Sequence, residues 1–220
     1  MSNGGYKGAS PARETSPEQY PGVWELTEQF QAQADGNWPF QAADCAPKCL
    51  RFDTGDTPYL EKTFVAAGNR RIFTWSSWFK KCHITDSQSV LFSAYGGSGN
   101  AYLALDFRHA QPRFLNWNGS SVIDEVKASA KLRDPSAWYS IVWSVNTNEP
   151  TDADKVKLFI NGIRQTQFET ANYPTTGADL YISNAIVHEI GRNVGTSQAG
   201  FDGLMSEVHF IDGQALSCDE

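Results

Sequence analysis

The last third of the chain alternates apolar and polar residues in short runs that end in tight-turn pairs. In KVKLFING, residues 155–162, every second residue is apolar and the run closes on Asn161-Gly162. An Asn-Gly pair tolerates positive φ at both central positions of a two-residue type I′ turn. MSEVHFIDG, residues 205–213, repeats the pattern and ends on Asp212-Gly213. A period of two closed by such turns predicts antiparallel strands.

The same strand pattern extends back to about Cys49, with no interleaved helical period. CLRFDTGDTPYLEKTF predicts two short strands around 53–58, SVLFSAY and AYLALDF predict two more joined by a loop at 96–100, and RFLNWNGSS predicts a hairpin near Asn118-Gly119. RIFTWSSWFKK carries aromatic residues at positions of both parities, which predicts a strand buried on two sides. Strands at this density, with Gly, Asn and Asp turns, predict an all-β fold, an antiparallel β-sandwich.

Alternation also predicts which side chains share a face. In AYLALDF, Leu103, Leu105 and Phe107 point one way. The residues between them point the other way, and they are Tyr102, Ala104 and Asp106. In YSIVWSVN the apolar face consists of Ile141, Trp143 and Val145.

Charge and composition exclude several classes of function. The 220 residues carry a formal net charge of −7 and no basic run, so neither nucleic acid nor an anionic membrane surface is a favoured partner. No stretch approaches the roughly 20 apolar residues that cross a bilayer. The four cysteines are irregularly spaced, which favours reduced thiols over a disulfide or a metal site; they are Cys45, Cys49, Cys82 and Cys218.

The first 48 residues form a separate segment. Residues 1–20 are rich in Gly, Ser, Pro and charge, which predicts an extended arm. In GVWELTEQFQAQADGNWP, residues 22–39, apolar residues recur at helical spacing up to Asp35-Gly36, which predicts a short helix. About three turns of helix are unstable alone in water, so its apolar face must dock on the chain's own sandwich or on another protein.

Five phrases together resemble the concanavalin A-like lectin/glucanase superfamily, in its laminin-G-like and pentraxin-like branch. They are FTWSSWFKK, LRDPSAWYSIVWSV, KVKLFINGI, HEIGR and FDGLMSEVHFIDGQAL. The resemblance implies a jelly-roll sandwich over 49–216, preceded by an arm over 1–48 with a short helix and followed by a tail over 217–220.

A second resemblance concerns the N-terminal phrase GVWELTEQFQAQADGNWP together with EVHFIDGQAL. This pair is similar to tail fibres and related surface proteins of tailed bacteriophages. The resemblance implies a virion structural protein, made in the bacterial host cytoplasm, that contacts other virion proteins as a homo-oligomer such as a trimer. It also implies an attachment segment whose apolar residues are Val23, Trp24, Leu26, Phe30 and Trp38. The alternatives are a capsid decoration protein, a free carbohydrate-binding lectin and a glycoside hydrolase.

Catalytic motifs are missing from the sequence. Glucanases on this fold use a Glu-x-Asp-x-x-Glu type strand that places its carboxylates on one face. The nearest pairs here, Glu207 with Asp212 and Asp124 with Glu125, have odd spacings and are expected to diverge. We therefore expect a protein that is not an enzyme and holds no cofactor.

Calcium and glycans remain as ligands to consider. Oxygen ligands for Ca²⁺ exist among the loop residues Asp53, Asp56, Asp152, Asp154, Asn193 and Asp202, but Asp and Asn also favour turns by bonding their own backbone, and the turn interpretation is preferred. A bacterial surface glycan needs an aromatic ring beside amide or carboxylate groups. The candidates are Trp117 with Asn116 and Asn118, and then Tyr95; alternatively, Trp117 covers one end of the core.

Overall fold

The computed structural model describes residues 49–83, 88–96, 100–193 and 200–218. The predicted helix and attachment segment, with Val23, Trp24, Leu26, Phe30 and Trp38, lie outside these residues, as does Cys45.

Strands dominate the described chain, as the alternation predicts. In order they are β1 Leu50–Phe52, β2 Leu60–Thr63, β3 Ile72–Lys81, β4 Ser89–Tyr95, β5 Tyr102–Arg108, β6 Gln111–Trp117, β7 Val122–Ala128, β8 Tyr139–Asn146, β9 Val156–Ile160, β10 Ile163–Arg164, β11 Phe168–Asn172, β12 Val187–Ile190 and β13 Gly203–Asp212. One four-residue helix, α1 (Asp152–Lys155), occupies part of the polar loop expected before β9.

These strands form two antiparallel sheets, so the predicted sandwich is confirmed. The first sheet has the order β1-β13-β3-β8-β9-β10 and the second has the order β11-β7-β6-β5-β4-β12-β2. Asn161 and Gly162 have φ angles of 50° and 77°, as a type I′ turn between β9 and β10 requires. Strands that follow one another in the chain pair only within β8-β9-β10 of the first sheet and β4-β5-β6-β7 of the second, and the other pairs, such as β13 with β3, join distant segments.

The core lies between the sheets and is strongly aromatic. Trp75 and Trp143 of the first sheet are fully buried and face Phe92 and Phe114 of the second, with ring centroids 6.1 and 6.4 Å apart. The predicted inward sets of β5, β8 and β9 are all buried. Contacts of this kind between aromatic rings hold the two sheets at a fixed separation.

Strand β3 corrects one prediction. Its inward residues, such as Phe73 and Phe79, are fully buried, but Trp78 points to the outside of the first sheet and is 45% exposed. The strand is therefore buried on one side, and its outward aromatic residue is a surface group. Thr74 also points outward but is buried, and its hydroxyl donates to the Gln214 carbonyl at 2.8 Å.

Candidate aromatic face of the second sheet

The second sheet presents an aromatic row on the face turned away from the core. Tyr95, Tyr102 and Trp117 are cross-strand partners on β4, β5 and β6, and we call them the aromatic ladder. Because side chains alternate along a strand, all three point away from buried neighbours such as Leu103 and Phe114. The ladder crosses three adjacent strands at one end of the sheet.

The ladder rests on small and apolar side chains. Tyr102 and Trp117 have ring centroids 6.5 Å apart at an interplanar angle of 30°, and both pack around Ala104 and Leu115. Tyr102 is 6% exposed, whereas Tyr95 and Trp117 are half-buried and offer more surface to a ligand. The Tyr95 hydroxyl donates to Asn100 Oδ1 at 3.1 Å, which ties Asn100 to the ladder.

A charged cluster lies beside the ladder on the same face. Arg113 Nε and Nη2 donate to the two oxygens of Asp106 at 2.8 Å each, and Nη1 lies 3.2 Å from Glu125 Oε1. Gln88 Nε2 also donates to Asp106. We call Arg113, Asp106 and Glu125 the arginine cluster; a bidentate guanidinium-carboxylate pair of this kind is rigid and specific in its geometry.

Burial and neighbouring charges shift the pKa values of two groups in and beside the arginine cluster. Burial alone would lower the pKa of Arg113, but Asp106 and Glu125 outweigh it and raise that pKa above its ordinary value. Burial, followed by the negative charge of Asp106, raises the pKa of the Tyr102 phenol. Tyr102 therefore remains a neutral hydroxyl at physiological pH, able to donate and accept hydrogen bonds.

Further polar contacts extend the face on both sides. Toward β11, Lys127 pairs with Glu169 at 2.7 Å, and this contact is the leading cause that lowers the pKa of Glu169. Toward β2, Arg192 pairs with the buried carboxylate of Glu189 at 2.5 Å and lies over the Tyr59 ring, 3.3 Å from its centroid. The cations Arg113, Lys127 and Arg192 are thus each neutralised by a carboxylate.

The structure brings together two of the four predicted glycan-contacting residues. Trp117 and Tyr95 share the ladder. Asn116 does not lie beside them: it points to the core side, is 5% exposed, and donates to Asp124 Oδ2 at 2.8 Å. Asn118 is at the start of the β6-β7 turn, where its Oδ1 accepts the Ser120 and Ser121 amide hydrogens at 2.9 and 2.8 Å.

Sequence reasoning missed Tyr102 and the arginine cluster as site residues. Tyr102 and Asp106 could have been identified from the sequence, because alternation in β5 places both on the outer face of the sheet. Arg113 could not be added without the β5-β6 register, which pairs it with Asp106. The acidic pair Asp124 and Glu125 diverges in the structure, the first toward the core and the second toward Arg113.

Three of the six loop residues considered for calcium have local partners. Asp53 Oδ1 accepts the Gly55 amide hydrogen at 3.0 Å, Asp152 pairs with Lys155 at 2.6 Å, and Asp154 pairs with Arg164 at 2.7 Å. Within the described residues, no group of three or more His, Cys, Asp or Glu side chains is placed to hold a metal ion. In the same part of the chain, no helix is long and apolar enough to cross a membrane.

Comparisons with known proteins agree with this architecture. A family model described as the concanavalin A-like lectin/glucanases superfamily matches residues 54–220. A search of curated proteins gave no match.

Solved structures share the fold at low sequence identity. The LG4-5 domains of the mouse laminin alpha1 chain superpose with a TM-score of 0.54 at 15% identity, over 80% of this chain and 46% of that one, so this chain spans less than half of the laminin fragment. Domain 4 of the extracellular arabinanase AbnA from Geobacillus stearothermophilus, in complex with arabinotriose, gives 0.52 at 17% identity, over 76% and 72% of the two chains. The CBM40 of a Ruminococcus gnavus sialidase, bound to alpha2,3 sialyllactose, gives 0.50 at 18% identity, over 73% and 95%.

Proposed function

Since the chain belongs to the concanavalin A-like lectin/glucanases superfamily, we propose that it is a non-enzymatic carbohydrate-binding protein that uses the aromatic ladder. The observation that carries the proposal is the placement of Tyr95, Tyr102 and Trp117 on one face beside the arginine cluster. Aromatic rings pack against the C–H face of a sugar, and nearby polar groups bond its hydroxyls. Two of the structural neighbours hold arabinotriose and sialyllactose, so the fold is compatible with this use.

The charge arrangement favours neutral glycans over acidic ones. Arg113 and Lys127 are held by carboxylates, so neither offers an unpaired positive charge to a sialic or uronic acid. The net charge of −7 disfavours anionic ligands further. Glu125 and Glu169 can instead accept hydrogen bonds from sugar hydroxyls at their remaining lone pairs.

A binding role without hydrolysis fits the same contacts. A retaining glycosidase needs one carboxylic acid and one nucleophilic carboxylate about 5 Å apart on either side of the bond that is cleaved. On the aromatic face, Asp106 and Glu125 both bond Arg113, which stands between them. Asp106 accepts two hydrogen bonds from Arg113 and one from Gln88 and is buried, which disfavours this carboxylate as the acid or the nucleophile of a glycosidase.

Replacement of Trp117 by alanine tests the ladder. We expect the Trp117→Ala chain to bind neutral oligosaccharides on a glycan array at least ten-fold more weakly, because a stacking aromatic is the kind of group that dominates binding energy. Trp78→Ala is the matched control, since Trp78 is an exposed tryptophan on the other sheet. Equal loss in both variants, or none in Trp117→Ala, would refute the ladder as the binding site.

We further propose that the domain belongs to a tailed-phage virion structural protein, a tail fibre or a fibre-associated adhesion protein. The support is the resemblance of GVWELTEQFQAQADGNWP and EVHFIDGQAL to such proteins. In that role a glycan-binding face would contact the bacterial surface while residues 1–40 join the particle.

Deletion of residues 1–40 tests the virion role. We expect the shortened chain to keep its sandwich, seen by circular dichroism, and to be lost from purified particles, because the attachment segment lies within those residues. Immunogold labelling of particles that carry the full chain should mark the tail. Labelling spread over the capsid would favour a decoration protein, and normal incorporation of the shortened chain would refute the attachment role.

A further inference from the structure

A cavity of about 330 Å³ lies between the edge of the second sheet and the end of β13, away from the aromatic ladder. Strand β12 separates β4, which carries Tyr95, from β2, which leads into the cavity wall. The residues that line it include Phe64, Val65, Gly68, Ser183, Phe210 and Asp212. Its size is within the usual range of small-ligand sites, about 300–1,000 Å³.

The cavity has an uncharged aromatic wall. Phe64 and Phe210 are stacked with ring centroids 6.3 Å apart at an interplanar angle of 22°. His188 packs behind Phe64 at 4.4 Å, and its Nε2 accepts the Ser183 amide hydrogen at 3.1 Å. Burial lowers the pKa of His188, so the ring is neutral at physiological pH and adds no charge to the wall.

One buried hydroxyl in the lining has no partner. Ser183 is 1% exposed, and its Oγ makes no hydrogen bond within the described chain. Ser183 adopts a φ of 53°, a left-handed conformation that a non-glycine residue rarely takes. A buried hydroxyl without a partner costs free energy, so a group that bonds it from inside the cavity would be favoured.

The carboxylate of Asp212 is the second polar group in the lining of the cavity. Asp212 Oδ1 accepts the Asn69 amide hydrogen at 2.9 Å, which fixes the side chain, and Oδ2 accepts no hydrogen bond from the described residues. Gly68 allows this placement, because a Cβ at that position would collide with the carboxylate. Asp212 supplies the charge of the lining, so anionic ligands are disfavoured.

We propose that this cavity is a second sugar site, which holds one neutral pyranose unit. The ring's C–H face would pack on Phe64 and Phe210, one hydroxyl would bond Ser183 Oγ, and another would donate to Asp212 Oδ2. The inference takes its ligand class from the proposed function but depends on different residues. A glycan with a neutral terminal sugar could be held here independently of the ladder.

The test is a titration of the full chain, labelled with nitrogen-15, with methyl β-glucopyranoside and methyl β-galactopyranoside. We expect saturable shifts of the amide signals of residues 65–68 with at least one glycoside. Ser183→Ala should weaken that binding roughly three- to ten-fold, the loss of one hydrogen bond. Asp212→Asn should weaken it as well, while it leaves an oxygen for the Asn69 amide. Trp117→Ala should leave the affinity at this site unchanged.

The outcomes separate this proposal from the proposed function. If binding on the glycan array depends on Trp117 and the amide signals of residues 65–68 do not shift with either glycoside, the cavity site is overturned and the ladder is not. If the amide signals of residues 65–68 shift, Ser183→Ala weakens that effect and the glycan array shows no binding, the result supports the cavity site and counts against the ladder. Saturation of the same signals by choline chloride and by neither glycoside would mean a site for organic cations and would overturn the sugar assignment.

Discussion

Replacement of Arg113 by methionine is expected to destabilise the sandwich by about 4 kcal/mol, the typical effect of breaking a buried ion pair by removing one partner. Arg113 is 9% exposed and Asp106 is 1% exposed, so the change leaves a carboxylate out of water without its bidentate cation. Glu125 loses its contact at 3.2 Å as well. Urea unfolding at pH 7 measures the effect as a lower midpoint with an unchanged slope.

Two further variants make the Arg113 result interpretable. Arg108→Met removes an exposed arginine of β5 and is expected to change stability by less than about 0.5 kcal/mol. Arg113→Met combined with Asp106→Leu removes both charges of the bidentate pair and should recover most of the lost stability, because buried pairs are replaceable by apolar groups of similar volume. A double variant no more stable than Arg113→Met would mean that the arginine acts through its packing and not through its charge.

The sandwich was predictable because its strands alternate cleanly. Leu103, Leu105 and Phe107 face the core as the period of two requires, and Asn161-Gly162 forms the expected turn. The turn between β5 and β6 gave no such signal. His109 and Ala110 adopt φ angles of 53° and 62° in a two-residue connection that usually selects Asn or Gly. Strand pairing imposes that conformation against local preference.

The candidate sites were predictable only in part, because they depend on pairing between strands. Asn116 and Trp117 are neighbours in sequence, so a strand must send them to opposite faces, and grouping them in one site ignored the alternation. Tyr95, Tyr102 and Trp117 come together through the register of three strands. The cavity is even harder to predict from the sequence, since Phe64, Ser183 and Phe210 come from segments far apart in the chain. No local pattern encodes contacts of that kind.

Lys81 is a charged residue in a buried position, an environment that its side-chain type alone would not indicate. It follows Lys80 at the end of β3, where the two lysines look like a solvated strand end, yet Lys81 has inward parity and is 1% exposed. Its Nζ lies 4.5 Å from the centroid of the Phe107 ring and has no hydrogen-bond partner in the described chain. Burial lowers the pKa of this ammonium group from 10.5 to about 8.

Replacement of Lys81 by methionine is therefore expected to stabilise the domain by about 3 kcal/mol at pH 7. The lowering from 10.5 to about 8 is 2.5 pH units, and each unit corresponds to about 1.4 kcal/mol of penalty on the charged form in the folded state. Methionine fills a similar volume without a charge to desolvate. Lys80→Met, at the adjacent and partly exposed position, is the matched control and should change stability little.

The pH dependence provides the sharper measurement of the same effect. Above pH 8 the folded chain has released the Lys81 proton, whereas the unfolded chain keeps it up to about pH 10.5, so the stability of the wild-type chain rises between these values. Unfolding in urea from pH 7 to 9.5 should show this rise in the wild type and in Lys80→Met. It should be missing in Lys81→Met, whose advantage therefore shrinks as the pH increases. Parallel curves for the wild type and Lys81→Met would show that the ammonium group is solvated or paired in the folded state, and that the burial of Lys81 carries no electrostatic cost.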